Sequence, residues 1–205
     1  MGVISNGTTL LDGGSLDSGV PSGSMVLIKT LTASSSGTLS FVDGASSVVF
    51  DGTYKQYVFK FIDIHAGTEN ANFTFQASTN GGSGYGVALT SSFFRAVHGQ
   101  DGSSGTVSYE TDKDLAQSTG VLQIGYDIGN DNDQSASGYL HLYDPSNTTF
   151  VKHFIARCNF THYQDYQIDQ YTAGYCNVTA AIDGVQFSMS SDNIDAGTFK
   201  LYGVV

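Results

Sequence analysis

The densest set of oxygen ligands in this chain is Asp127-Ile128-Gly129-Asn130-Asp131-Asn132-Asp133-Gln134. Carboxylates and amide carbonyls on one flexible segment are the ligands Ca²⁺ takes, so Asp127, Asp131 and Asp133 are the candidates for such an ion. The helix–loop–helix calcium pattern is missing, because the sixth loop position is Asn132 and the twelfth is Gly138 where that pattern requires Gly and Glu. A polar turn between strands accounts for the same residues, and the expectation is such a turn with no cofactor.

The other reactive residue types are dispersed. His65, His98, His141, His153 and His162 form no HxH or HxxxH pair, so no preassembled zinc or copper site can be read. His141 stands between Leu140 and Leu142 in an alternating run, which places it on the outer face of a strand. No GxSxG elbow is present, and the glycine-rich Asn80-Gly81-Gly82-Ser83-Gly84-Tyr85-Gly86 lacks the lysine of a phosphate loop. Glu69 and Glu110 are the only glutamates, and seven of the seventeen aspartates sit in Asp-Gly or Asp-Asn turns, where backbone hydrogen bonding explains them. The chain is expected not to be an enzyme. Cys158 and Cys176 leave two readings open: a bridge between neighbouring strands, or two buried free thiols, of which the thiols are preferred.

The stretch from Phe160 to Tyr171 is of a different kind. It carries Tyr163, Tyr166 and Tyr171 among amides and carboxylates. A flat amphipathic ring gives contact area at low entropy cost, as in subunit contacts and glycan platforms. Read as a long loop, Thr161 to Tyr171 offers these three tyrosines to a partner.

The elements that must position these residues are strands. Tyr57-Val58-Phe59-Lys60-Phe61-Ile62-Asp63-Ile64 and Asn72-Phe73-Thr74-Phe75-Gln76-Ala77 alternate in hydropathy, and turn signals such as Asp43-Gly44, Asp51-Gly52 and Asn80-Gly81-Gly82 separate such runs. Val48-Val49-Phe50 reads as a further short strand, and Thr111 to Ser118 as a turn. Residues 197–204 close the sequence as a strand, Phe199 and Leu201 on one face and Lys200 and Tyr202 on the other. About a dozen short strands with two prolines and 25 glycines predict an all-β fold, an antiparallel β-sandwich of jelly-roll type with negligible helix. Residues 1–24 read as an extended Gly/Ser-rich arm and 25–205 as a single domain.

Composition narrows the partners. Eight Lys and Arg against nineteen Asp and Glu give a formal charge of −11. Phosphate neutralisation underlies nucleic-acid affinity, so no nucleic-acid partner is expected. The opening residues carry no basic and apolar leader pattern, and no apolar run is long enough for membrane insertion. Five Asn-x-Thr triplets are read as by-products of alternating polar strand faces.

Asp192-Asn193-Ile194-Asp195-Ala196-Gly197-Thr198-Phe199-Lys200-Leu201-Tyr202-Gly203 resembles the closing strand of a group of tailed-phage structural proteins, common in marine phages, that end in Gly-Thr/Ser-x-Phe/Ile-x-Leu-Tyr-Gly. Val58–His65, Phe75–Gly82, Gly138–Leu142 and Ala181–Phe187 extend the resemblance over most of residues 55–205. It implies a jelly-roll protein of the virion exterior, assembled in the host cytoplasm, that self-associates as a homo-oligomer, a trimer, and docks on capsid or tail. Other virion proteins are then the partners, and Val3, Ile4, Leu10 and Leu11 of the arm would be anchors in strand-addition contacts. The alternatives are a tail-fibre module recognising host surface glycan and, more remotely, a secreted carbohydrate-binding or glycan-cleaving domain.

Overall fold

The computed structural model describes residues 3–5, 8–12, 15–16, 24–103 and 105–205. Near the N-terminus, β1 (Val3–Ser5), β2 (Thr8–Asp12) and β3 (Ser15–Leu16) pair antiparallel with one another in a small sheet of their own. The remaining twelve strands form two antiparallel sheets that pack face to face, and no helix occurs among the described residues. The larger sheet has eight strands, in the order β4 (Met25–Ser36), β15 (Ile194–Val204), β6 (Gln56–Ala66), β11 (Ala136–Tyr143), β12 (Lys152–Thr161), β13 (Tyr166–Cys176), β8 (Leu89–Gly99) and β9 (Gly105–Tyr109). The smaller has four: β10 (Leu122–Ile128), β7 (Ala71–Ser78), β14 (Gly184–Met189) and β5 (Thr38–Val42). From β4 onward the chain changes sheet at every connection except β8–β9 and the β11–β12–β13 meander. The protein is a β-sandwich, as its alternation requires.

Phenylalanines hold the two sheets together. Phe187 of the small sheet lies between 5.0 and 6.4 Å, ring centre to ring centre, from Phe41, Phe59, Phe61, Phe73, Phe75 and Phe199. Most of these pairs are edge-to-face or tilted, the arrangements that ring quadrupoles favour. With no Trp in the chain, this cluster supplies the large rigid core volume.

The closing strand β15 is an interior strand of the large sheet, paired along its length with β4 on one side and β6 on the other. Phe199 and Leu201 are buried. Gly197, with φ of 134°, passes so close to β6 that a Cβ would lie 2.9 Å from the Ile64 Cα and 3.0 Å from the Asp63 carbonyl oxygen. Asp63 is itself in the left-handed region (φ 51°) at a break in register between β6 and its partners, so only a residue without a side chain fits beside that bulge. Gly203 lies beneath the Tyr54 ring, whose atoms come within 2.3–2.5 Å of where a Cβ would be.

Two sequence expectations fail. Val48-Val49-Phe50 is not a strand. Asp43 turns the chain there, accepting the Phe50 N–H 2.7 Å from its Oδ1, and Val48 and Phe50 are buried without a ladder partner. Nor is Thr161–Tyr171 a long loop. β12 and β13 are joined by a tight turn at His162–Asp165, with His162 N–H donating to the Tyr166 carbonyl and Asp165 N–H to the His162 carbonyl, and β13 runs from Tyr166 onward. Its alternation is hidden in composition because one inward residue is Gln170. That side chain is fully buried and donates from Nε2 to the Gln123 carbonyl and the Thr172 hydroxyl. With its Nε2 paired, although Oε1 finds no partner among the described residues, the amide passes as core where the sequence shows only polarity.

Candidate functional site

The small sheet covers one face of the large sheet, and the residues of the other face are the outward members of each alternating run. Strand pairing lines up eight of these in one row across the whole sheet: Tyr109, Phe94, Tyr171, Arg157, Tyr139, Lys60, Lys200 and Thr30. At the usual strand spacing the row is about 34 Å long. Neighbouring positions add further apolar and aromatic groups, among them Ile155, Tyr175, Tyr143 and Tyr202. Tyr109 is 50 %, Ile155 48 % and Phe94 43 % exposed. Apolar side chains gathered so on one face mark a contact surface more than a solvated one.

The row is rigid at its centre. Tyr171 stacks on Phe94 with centroids 4.8 Å apart and planes 2° from parallel. From the strand on its other side, the Arg157 guanidinium stands 4.8 Å from the same ring centre. Arg157 in turn grips Asp169 with two bonds, Nε to Oδ1 at 2.9 Å and an Nη to Oδ2 at 2.6 Å. The Tyr171 hydroxyl donates to Asp169 as well, at 3.2 Å. The Arg157 bonds hold the Asp169 carboxyl below the usual carboxylate range, and the same pairing raises Arg157. Burial and the neighbouring carboxylate raise the Tyr171 phenol.

Further along, the cations are left open. Lys60 and Lys200 stand directly opposite each other on β6 and β15. Among the described residues neither has a carboxylate in ion-pair range. Lys60 lies 5.3 Å over the Tyr202 ring. Like charges in directly opposed positions destabilise a sheet, so this pair costs the isolated fold something. Beside it, His141 accepts from the Gln56 side-chain amide at Nδ1, and burial together with Lys60 pushes its pKa down. Both influences favour the neutral imidazole.

Two shallow depressions interrupt this face. One, of about 520 Å³, lies over Ala173 between Tyr143, His153, Ile155 and Tyr175. The other, of about 340 Å³, lies over Val58 beside Lys60, Tyr139 and His141. The row offers rings, an ion pair and two ammonium groups with no carboxylate in ion-pair range among the described residues, groups able to make contacts.

Of the residues singled out by sequence, Tyr171 alone joins this row. Tyr163 and Tyr166 are at the far turn of the hairpin, where their rings pack 4.6 and 5.6 Å from His162. Asp127, Asp131 and Asp133 are not brought together. Asp127 is in β10 with φ of 51° and faces His162, Nε2 to Oδ2 at 3.7 Å. Asp131 and Asp133 are exposed in the β10–β11 turn. The inside of that turn is filled by the Gln134 side chain, which accepts the Asp131 N–H at 3.1 Å and donates to Asp165 at 3.2 Å. No group of three or more His, Cys, Asp or Glu gathers as a metal site among the described residues. Both cysteines are free and buried; they are on adjacent strands, but Cys158 pairs with Gln170 and Cys176 with Lys152. Ile4 is exposed, whereas the side chains of Val3, Leu10 and Leu11 lie outside the described residues.

Phe94, Arg157, Tyr139, Lys60 and Lys200 were not singled out by sequence. Their signal was present only as the outward half of each alternation, and the register that joins them links strands far apart in the chain. No protein-family model, no curated protein and no solved structure matches this chain.

Proposed function

We propose that this protein is a structural component of a tailed-phage virion, a non-catalytic β-sandwich that self-associates and docks on the capsid or tail exterior. The observation that carries the contact role is the outer face of the large sheet, with its stacked rings, its ion pair and its exposed Ile155 and Tyr109. The virion context comes from the resemblance of the closing strand, whose glycines have physical work here: Gly197 clears the β6 bulge and Gly203 the Tyr54 ring. The sheet order supports the jelly-roll reading. Taking the β11–β13 meander as one unit, the small sheet runs β5-β14-β7-β10 and its opposite runs β6-meander-β8-β9. With the three-strand meander counted as one position, that order matches what two layers of a double Greek key would have, with β4 and β15 added at one edge, and it supports the reading on that count alone.

Imaging of purified particles at a resolution that traces strands tests this. Density for the sandwich on the particle exterior is the expected result, and its absence from particles overturns the reading. Deleting residues 1–24 should leave the body folded and abolish incorporation if the arm anchors it.

The second reading is a glycan-recognising tail-fibre module, favoured by the 520 Å³ depression walled by Tyr143, His153 and Tyr175. It predicts that the purified protein labels host cells and that Tyr175→Ala abolishes labelling.

A further inference from the structure

The outer face of the large sheet poses a charge problem whose solution restricts what can cover it. In a chain of net charge −11, Lys60 and Lys200 are directly opposed and lack a carboxylate partner among the described residues. Covering this face with the same face of a second copy would bring four ammonium groups together in a dehydrated contact. Burying unpaired charge is costly, so a two-fold contact centred on the pair is disfavoured. A surface of opposite sign is needed, and the chain carries one elsewhere.

That surface is the β10–β11 turn. Asp131 and Asp133 are exposed there, with no cation in ion-pair range among the described residues. The turn is also held in one shape. Gln134 is 2 % exposed and bonds both the Asp131 N–H and Asp165. It fills the space beside Gly129, where a Cβ would lie 1.7 Å from the Gln134 Oε1. A preformed acidic turn loses little conformational entropy on docking. The turn does not serve the lysines of its own chain: among the described residues no ion pair joins Asp131 or Asp133 to Lys60 or Lys200.

We propose that a second copy of this chain docks its Asn130–Asp133 turn on the Lys60–Lys200 pair, so that copies assemble head to tail. Each copy then offers one basic face and one acidic turn, a heterologous contact that closes as a ring or grows as a filament. The inference rests on the assembly role proposed above for the outer face and names its partner. It gives a physical reason for a ring such as a trimer in preference to a two-fold dimer.

Light scattering on the purified full chain, with native mass spectrometry, tests it. The expected result is a species of three or more copies that shrinks as salt is raised. Lys60→Glu with Lys200→Glu, and separately Asp131→Lys with Asp133→Lys, should each give a single-chain mass with an unchanged far-UV circular dichroism spectrum and a cooperative melt, lower than the wild type's by the stabilisation that assembly supplied. Mixing the two variants should restore contact between unlike copies only, because each turn then meets a face of opposite sign, and so give even-numbered or open assemblies, since a ring of three cannot alternate the two. Zero-length carbodiimide coupling of mixed ¹⁵N- and ¹⁴N-labelled chains should link Lys60 or Lys200 of one copy to Asp131 or Asp133 of another. A monomeric wild type, a two-fold dimer, or an assembly indifferent to the lysine reversals overturns the proposal. Particle imaging that still finds the chain on virions would then leave the structural role standing.

Discussion

Tyr171 is sandwiched, its ring flat against Phe94 at 4.8 Å and its other face under the Arg157 guanidinium at 4.8 Å. Both ring faces are therefore occupied, which removes Tyr171 as a platform for a sugar and makes it part of a standing ridge. Offset ring pairs are worth about 0.5–1.5 kcal/mol beyond their buried area. A double-mutant cycle of Phe94→Ala and Tyr171→Ala in urea unfolding should return a coupling of about that size. A coupling near zero would mean that the stack does not persist in solution.

The Arg157–Asp169 pair makes a pH prediction whose sign is fixed. The Asp169 carboxyl is held down, first by the Arg157 hydrogen bonds. Its contribution to stability is complete above the ordinary aspartate pKa of about 3.9 and is lost as pH falls through the lower folded value. Carboxyl ¹³C NMR should find Asp169 titrating below the exposed aspartates, and Arg157→Gln should move it upward. An unshifted Asp169 in the parent protein would contradict the bidentate geometry.

Lys152 is 1 % exposed, and its ammonium donates to the carbonyls of Phe150, Val178 and Thr179 at 3.2, 3.0 and 2.8 Å. It ties the segment before β12 to the one after β13. Lys152→Met keeps the volume and strands three acceptors, so a loss of about 2–4 kcal/mol is expected, from the cost of leaving buried polar groups unpaired. Chemical denaturation measures it, and a neutral result would place water on those carbonyls.

What the sequence revealed and what it concealed divide along one physical line. Alternation within a strand is local, so the inward faces of β6 and β7 and the course of β15 were readable from Phe59, Phe61, Phe73, Phe75, Phe199 and Leu201. The face of His141 was readable for the same reason. Register between strands is not local. Lys60 meets Lys200 across 140 residues of chain, and Phe94 meets Tyr171 across 77, and nothing in either segment names its partner. The tyrosine-rich stretch misled for a third reason: Gln170 and Thr172 are buried polar residues, and polarity counted as exposure turns a strand into a loop.

The thiols offer a clock for opening. Burial pushes both Cys158 and Cys176 up to about 12, so at pH 8 neither is a thiolate to any useful extent and neither is reachable. Labelling by a disulfide reagent should therefore wait on unfolding and speed up with denaturant in step with global opening. Prompt reaction of either thiol in the native protein would mean that the β12–β13 pair opens locally.

Gly203 is where the closing strand depends most narrowly on one neighbour. The Tyr54 ring lies over it, with ring atoms 2.3–2.5 Å from the position a Cβ would take. The same ring is edge-on to Tyr57, centroids 5.8 Å apart, so it cannot step aside without disturbing a fully buried residue of β6. Gly203→Ala should then cost roughly 1–3 kcal/mol, as overpacking does. In a Tyr54→Ala background the obstruction is gone, and the same substitution should cost far less. Equal losses in both backgrounds would mean that Gly203 is required for its backbone and not for the ring above it. Thermal melts of the four proteins decide between these, and they test directly whether the last glycine of the Leu-Tyr-Gly ending is a packing residue.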